Sequence, residues 1–461
     1  MIKLITLLLG FFLASCSTIP FEESKVEVLQ LNQAIEGKDI YNKDFIDFLE
    51  IKGYEKSLPI TSWGIQELLI AQYYFNYDIK TYKHSINWIK DNEKIALLKP
   101  LNSIGLEIGR GVSNEELSKN IFGGGFSFTF ERANKRLIRY EVAFNETQYA
   151  LLKYENKIWE LRTSLIEKIV NFVERQDLIA ITREELKLKH SILRMIKKRV
   201  NLGVLSQLEF DRTAIELKKI NQSLLVLQFH QDNLKKEIAT NIGLSIEKFN
   251  LIPINTRSVK ELFEQSSLKF LDKNTINDIQ LKATTNSKKL RILLAEYAIS
   301  ESKLKYEIVK QNPDFTFSPA YTYDFGNYIW SLGIDAIISS KERNEIFINK
   351  AKKIRSAQGS KVIAYQLEIL NEAKALLDGF NYSTELNKEN KKIRNTKDKL
   401  RKQLLNRFDS GILDRLELEL ELINFYEIEK DYHKSFYNVI KKCLDAESVI
   451  QEPIFTKRLY K

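Results

Sequence analysis

Among the residue types that carry chemistry, the chain offers two cysteines, four histidines and carboxylates beside two helix-ending glycines. His84, His190, His230 and His433 are scattered, without the paired spacing that presents imidazoles to a metal. Gly123-Gly124-Gly125 lacks the lysine that follows a phosphate-cradling loop and runs into a strand-like stretch instead. No metal, cofactor or catalytic group follows from this set, and no enzyme activity is expected. Cys443 lies in the last predicted helix and reads as a small buried hydrophobe. Cys16 is different. Lys3, the apolar run Leu4 to Leu13 and the small pair Ala14-Ser15 precede it, which is the layout of a secretory signal. The run is too short to span a bilayer.

Leu13-Ala14-Ser15-Cys16 resembles a bacterial lipobox, in which the Cys16 thiol takes a diacylglyceryl group and cleavage leaves Cys16 as the new N-terminus. Ser17 stands after it and not an aspartate, so the resemblance to sorted lipoproteins points to the outer membrane. That address governs how composition is read. With Cys16 lipidated, Cys443 has no disulfide partner, and stability must come from packing. Lys and Arg exceed Asp and Glu by 71 − 61 = +10. In a cytosolic protein such an excess suggests nucleic acid, but a secreted lipoprotein meets none. A charged fraction of 29% with 17 Gly and 7 Pro indicates long, solvated helices.

A heptad supports this. Leu137, Phe144, Leu151, Ile158, Leu165, Phe172, Ile179, Leu186, Leu193 and Val200 fall at every seventh position. No Pro or Gly interrupts Glu131 to Leu202. A strict seven-residue period keeps one apolar seam toward a partner and requires supercoiling. The helix would be roughly 100 Å long. Leu416 to Leu422 alternates Leu with Glu, a strand-like period, but both are good helix formers and a helix is expected.

The end of the long helix recurs. Arg199-Val200-Asn201-Leu202-Gly203-Val204-Leu205-Ser206 is echoed by Arg407-Phe408-Asp409-Ser410-Gly411-Ile412-Leu413-Asp414. Glycine supplies the left-handed residue that closes one helix, and Ser206 or Asp414 caps the next. Each stretch is therefore a helix-hairpin tip. The glycines lie 411 − 203 = 208 residues apart, a repeat of nearly half the chain. The same shift maps Gly125 onto Gly333.

Ahead of each long helix the chain reads as a strand hairpin. The first runs from about Ile104 to Ile108 and returns through Ile121 to Phe130; the second runs from Phe315 to Tyr323 and returns through Tyr328 to Ile338. Phe126, Phe128 and Phe130 alternate with Ser127 and Thr129. Such segments suit a membrane barrel with a wet interior. Four strands cannot close one, and an open edge does not survive in lipid, so the barrel must be shared between chains. A soluble β-patch packed on the helices is the other reading.

Together these features resemble the TolC-like outer-membrane efflux proteins over most of the chain. Arg407-Phe408-x-x-Gly411 is close to that family's tip signature, and Arg199-Val200-x-x-Gly203 departs from it by Val for Phe. Leu58-Pro59-Ile60-Thr61-Ser62 followed by Ile65 to Ile79 resembles its opening helix, and Ile242-Gly243-Leu244 the end of its first helical hairpin. The resemblance implies a mainly α chain with a membrane β part. Long coiled-coil hairpins and four strands per chain would build a homotrimer with a twelve-stranded barrel and a periplasmic tunnel. It implies partners: a periplasmic adaptor, an inner-membrane transporter and outer-membrane lipid. Arg199, Gly203, Val204, Ser206, Arg407, Gly411, Ile412 and Leu413 would form the adaptor-docking tips. Glu209, Glu417 and Glu421 would be gate candidates. The expected division is a signal at 1–15, a lipid-anchored tether at 16–57 and a first repeat at 58–250. An equatorial segment with the second repeat follows at 251–450, then a tail at 451–461. A lipid-anchored periplasmic coiled coil without a pore is the alternative, but it leaves the aromatic hairpins without a use.

Overall fold

The computed structural model describes residues 19–25, 27–52, 54, 60–111, 119–271, 276–324 and 326–455. Cys16 and the preceding apolar run lie outside the described residues.

Two short helices, α1 (Val28–Glu36) and α2 (Lys43–Ile51), precede α3 (Ile65–Phe75) and α4 (Tyr77–Ala96). Strands β1 (Ser103–Gly111) and β2 (Lys119–Phe130) lead into α5 (Lys135–Asn201) and α6 (Gln207–Ile242). Helices α7 (Ile246–Phe249), α8 (Thr256–Leu271), α9 (Ile276–Asn286) and α10 (Lys288–Val309) cross to the second half. There β3 (Phe315–Asp324) and β4 (Asn327–Ala336) lead into α11 (Lys341–Asp409) and α12 (Arg415–Ile450). The repeat is plain in the lengths: 67 and 36 residues in one helical hairpin, 69 and 36 in the other. The Leu-Glu run lies inside α12, so helix propensity overrides the period-two pattern.

Ala133 and Asn134 sit at φ 57° and 56°, turning the chain out of β2, so α5 begins at Lys135. One helix boundary differs from expectation: the opening helix stops at Phe75, not Ile79, because Asn76 is extended and its side chain accepts from the Ile79 amide, capping α4.

The four strands form one antiparallel sheet in the order β1-β2-β3-β4. Pro319 sits inside β3 and has no N–H; the ladder to β2 lapses between Gly125–Ala320 and Phe128–Phe317. The Ser127 and Ser318 hydroxyls, 2.9 Å apart, bridge that gap.

The main core lies at the waist, where both hairpins meet the short helices. Leu165, Ile169 and Val173 of α5 pack there with Ile238 and Ile242 of α6, Ala373 and Phe380 of α11, and Ile440 and Leu444 of α12. Trp63 hydrogen-bonds across to the connector: its N–H donates to the Pro253 carbonyl (3.1 Å) and its carbonyl accepts from Asn255 (2.9 Å). The stretch expected as a tether enters this core. Phe45 and Leu49 of α2 are fully buried, and the Lys38 ammonium donates to the carbonyls of Phe75 (3.0 Å) and Gly243 (2.8 Å). Mixed charge along the segment conceals an amphipathic helix whose apolar face is needed by the waist. The C-terminus does likewise: Phe455 is buried, and the Ile454 and Phe455 amides donate to Glu447 (2.7 and 3.1 Å).

The heptad is only half used within the chain. Leu165, Phe172 and Ile179 are buried, whereas Leu137, Phe144 and Leu151 are exposed. Near the strands α5 instead buries Ala143, Thr147 and Ala150, small residues that let helices approach closely.

The two repeats are stitched along the antiparallel contact of α5 with α12. As numbers rise on α5 they fall on α12: Arg162 pairs with Glu447, and Lys441 with Glu174 at 2.7 Å. The Tyr437 hydroxyl donates to Asp177 at 2.7 Å, Lys430 pairs with Glu185, and Arg199 reaches Asp414 at 3.0 Å. Asp177 also holds Lys260 of α8. Burial opposes ionisation of Asp177, yet the neighbouring His433 and hydrogen bonds from Lys260 and Tyr437 hold its carboxyl below the usual range.

Candidate functional site

Both tips close in the same way. Gly203 and Gly411 have φ of 72° and 71°. The Gly203 amide donates to the Val200 carbonyl (2.9 Å) and the Val204 amide to that of Arg199 (2.8 Å). Gly411 to Phe408 and Ile412 to Arg407 repeat this at 2.9 Å each. These are the paired bonds of a Schellman turn. Ser206 and Asp414 cap the following helices as expected, accepting from the amides of Glu209 and of Leu416 and Glu417.

The site residues therefore fall into two groups. Gly203, Gly411, Ser206 and the backbones of Arg199 and Arg407 make the turns. Val204, Ile412 and the Arg407 side chain are exposed, and among the described residues Arg407 has no ion-pair partner. Leu413 is half-buried. The Arg199 side chain is turned inward to Asp414, tying one repeat's tip to the other's. Nothing local in sequence signals that pair. A small core of Ile192, Ile196 and Leu416 backs it.

The gate candidates are partly committed to local structure. The Glu417 carboxylate accepts from the Asp414 amide at 3.2 Å, completing a capping box, and Glu209 pairs with Arg212 at 3.3 Å. Glu421 is exposed, with no ion pair among the described residues.

Asp414 accepts from Glu417 and Leu416 amides and faces Arg199, so its carboxyl is held below 3.8. The amide of Glu417 is the leading cause, with Arg199 adding to it. A lowered folded-state value means the tip contact is complete above 3.8 and is lost as pH falls through the lower folded value. Asp414→Ala is expected to cost about 1 kcal/mol of local stability, as loss of an N-cap does. Amide exchange at Leu416 and Glu417 would report it, with no change in the Gly203 turn.

At the other end the register sorts the sheet into two faces. Phe122, Phe126, Phe128 and Phe130 share one with Ile104, Leu106 and Ile108 across β1, and with Phe315, Phe317, Tyr321 and Tyr323 across β3. Tyr328, Trp330, Leu332 and Ile334 of β4 continue it. The opposite face carries Gly105, Glu107, Gly123, Gly125, Ser127, Thr129, Thr316, Ser318, Thr322, Ser331, Gly333 and Asp335, with Ile121, Ala320 and Ile329 as its apolar members. The apolar face is uncovered: Ile108 is 81% and Trp330 80% exposed. Among the described residues no helix makes extensive contact with the sheet, which counts against the soluble β-patch reading. A ten-residue strand tilted by about 45° rises to roughly the 25 Å of a bilayer's apolar band.

Among the described residues no group of His, Cys, Asp and Glu is assembled as for a metal. Burial pushes the Cys443 thiol up to about 12, away from reactivity.

No family model matches the chain in sequence, and no curated protein matches it. Solved structures do match in fold. The outer membrane protein VceC from Vibrio cholerae matches at 11% identity and a TM-score of 0.64, over 84% of this chain and 95% of that one. The MtrE outer membrane channel of Neisseria gonorrhoeae, in its open state, matches at 11% and 0.63, over 84% and 88%. The Campylobacter jejuni CmeC outer membrane channel matches at 11% and 0.65, over 94% and 93%. The chain thus has the TolC-like fold of these outer-membrane channels, two repeats of strand hairpin and long helical hairpin joined at a packed waist.

Proposed function

We propose that the chain is the outer-membrane exit duct of a tripartite efflux or secretion system, held also by lipid on Cys16. One observation carries this reading: a four-stranded sheet with an uncovered apolar face, a small polar face and two open edges. Such a sheet is stable in lipid only when its edges are paired, and copies of itself in a ring pair every edge. Three copies give twelve strands. The polar face then lines a bore, and the helices carry it into the periplasm. The tips, roughly 100 Å from the strands, present Val204, Arg407 and Ile412 to a periplasmic adaptor, through which an inner-membrane transporter delivers cargo. The duct itself is passive. Glu421 is the gate candidate left to act on cations, because among the described residues its carboxylate is spent neither on a cap, as that of Glu417 is, nor on an ion pair, as that of Glu209 is.

The test uses chain with Cys16→Ala behind an ordinary cleavable signal, reconstituted in planar bilayers. Discrete conductance steps from a trimer are expected; a helical, water-soluble product without conductance would favour the anchored coiled coil. Adaptor docking is tested separately by Ile412→Glu. It leaves the Gly411 turn intact, and at least a tenfold loss of adaptor cross-linking is expected at normal trimer levels.

A further inference from the structure

Just below the sheet, helices α4, α5, α10 and α11 stand in one row: α4 packs on α5, α5 on α10 and α10 on α11. A cavity of about 580 Å³ is lined by all four. A row of helices brings its two end members to a common cavity only on its concave side. In a closed tube that side is the bore.

The apolar part of the lining is Ile95 of α4, Ala143 of α5, and Phe347 and Ile354 of α11. The rest is charged, but its charges are unequally used. Lys303 is paired with Glu146 at 2.8 Å and Lys310 with Glu307 at 2.7 Å. Arg139 is held by Glu131 and by the Leu98 carbonyl. Lys350 lines the cavity with no carboxylate within 4.0 Å among the described residues. The site therefore joins an apolar slot of ligand size to one uncommitted cation. A neutral apolar molecule would leave Lys350 unused, and a cation would meet it unfavourably.

We propose that this cavity is a cargo-contact site in the duct wall for an anionic amphiphile. The apolar body lies against Phe347 and Ile354 and the acidic group against Lys350. The proposal rests on the duct reading and adds a substrate class to it. Three copies of the chain would place three such sites around the bore.

The probes are 8-anilinonaphthalene-1-sulfonate and N-phenyl-1-naphthylamine, which share a ring body and differ in the sulfonate. They are titrated by fluorescence against the full-length trimer in lipid nanodiscs, with empty nanodiscs subtracted. Saturable sulfonate binding is expected. Lys350→Gln should weaken it about tenfold and leave the neutral probe unchanged, whereas Ala351→Trp, which fills the slot, should weaken both. Equal sulfonate binding by wild type and Lys350→Gln would overturn the anion preference. No saturable binding to the wild-type trimer would overturn the site, including the case in which a second copy of the chain covers it. Conductance of the same preparation separates the two readings. Channels that conduct but bind no probe leave the duct standing without the site, and probe binding without conductance does the reverse.

Discussion

Arg162→Ala is expected to destabilise the protein by about 3–5 kcal/mol, the cost of removing one partner from a buried ion pair. Arg162 and Glu447 lie 4% and 0% exposed at the waist, and the guanidinium also stacks over Trp159 with 5.0 Å to the ring centroid. Truncating Arg162 leaves the Glu447 carboxylate with the Ile454 and Phe455 amides but, among the described residues, without a counter-charge. Denaturant unfolding of the full chain in detergent, followed by helicity, reads this. Arg162→Met combined with Glu447→Gln should recover part of the loss, since the amide side chain still accepts from the tail. No recovery in the double variant would mean that packing, not charge, holds this joint.

That pair also marks where sequence reasoning stops. The tips were legible because Arg-x-x-x-Gly followed by a capping residue is a local signal, and its doubling 208 residues apart (411 − 203) removed chance. The sheet was legible because alternation such as Phe126-Ser127-Phe128-Thr129-Phe130 is local too, and its register then fell as alternation requires. Arg162 and Glu447 are 285 residues apart, and each alone looks like a solvated charge on a charged helix. Only the antiparallel run of α5 along α12 makes them partners. The heptad failed by half for a related reason. Seven-residue spacing tells which residues share a stripe but not what faces it, and beyond Leu165 toward the strands Leu151, Phe144 and Leu137 stay exposed within this chain. Within the 16–57 segment the burial of Phe45 and Leu49 was not legible, because they sit among charges that dominate its composition, while burial is decided by one face of a nine-residue helix.

Gly243→Ala should be the most damaging of the glycine substitutions, and comparison with the tips explains why. Gly203, Gly411 and Gly243 all close helices with positive φ, at 72°, 71° and 94°. An alanine at any of them pays about 1–2 kcal/mol for a left-handed backbone. At the tips a Cβ meets nothing within 4 Å, so the conformational term is the whole effect. At Gly243 it would lie 2.6 Å from the Phe75 carbonyl oxygen and 3.0 Å from the Asn76 Cα, both backbone atoms that no rotamer change can move. The ends of α3 and α6 would have to part, and overpacking of this kind adds about 1–3 kcal/mol. Parting them also stretches the joint that Lys38 closes, where one ammonium bonds both the Phe75 and Gly243 carbonyls, and the 2.7 Å bond from Asn76 to the Asn241 carbonyl. Gly243→Ala is therefore expected to lose about 2–5 kcal/mol by denaturant unfolding, against about 1–2 for Gly203→Ala or Gly411→Ala. Proteolysis should cut first near residues 38–52 in the Gly243 variant alone, because that segment is pinned to the waist through the same two carbonyls. If all three variants lose the same stability, the close approach at the waist carries no energy and the glycine there is only a helix stop.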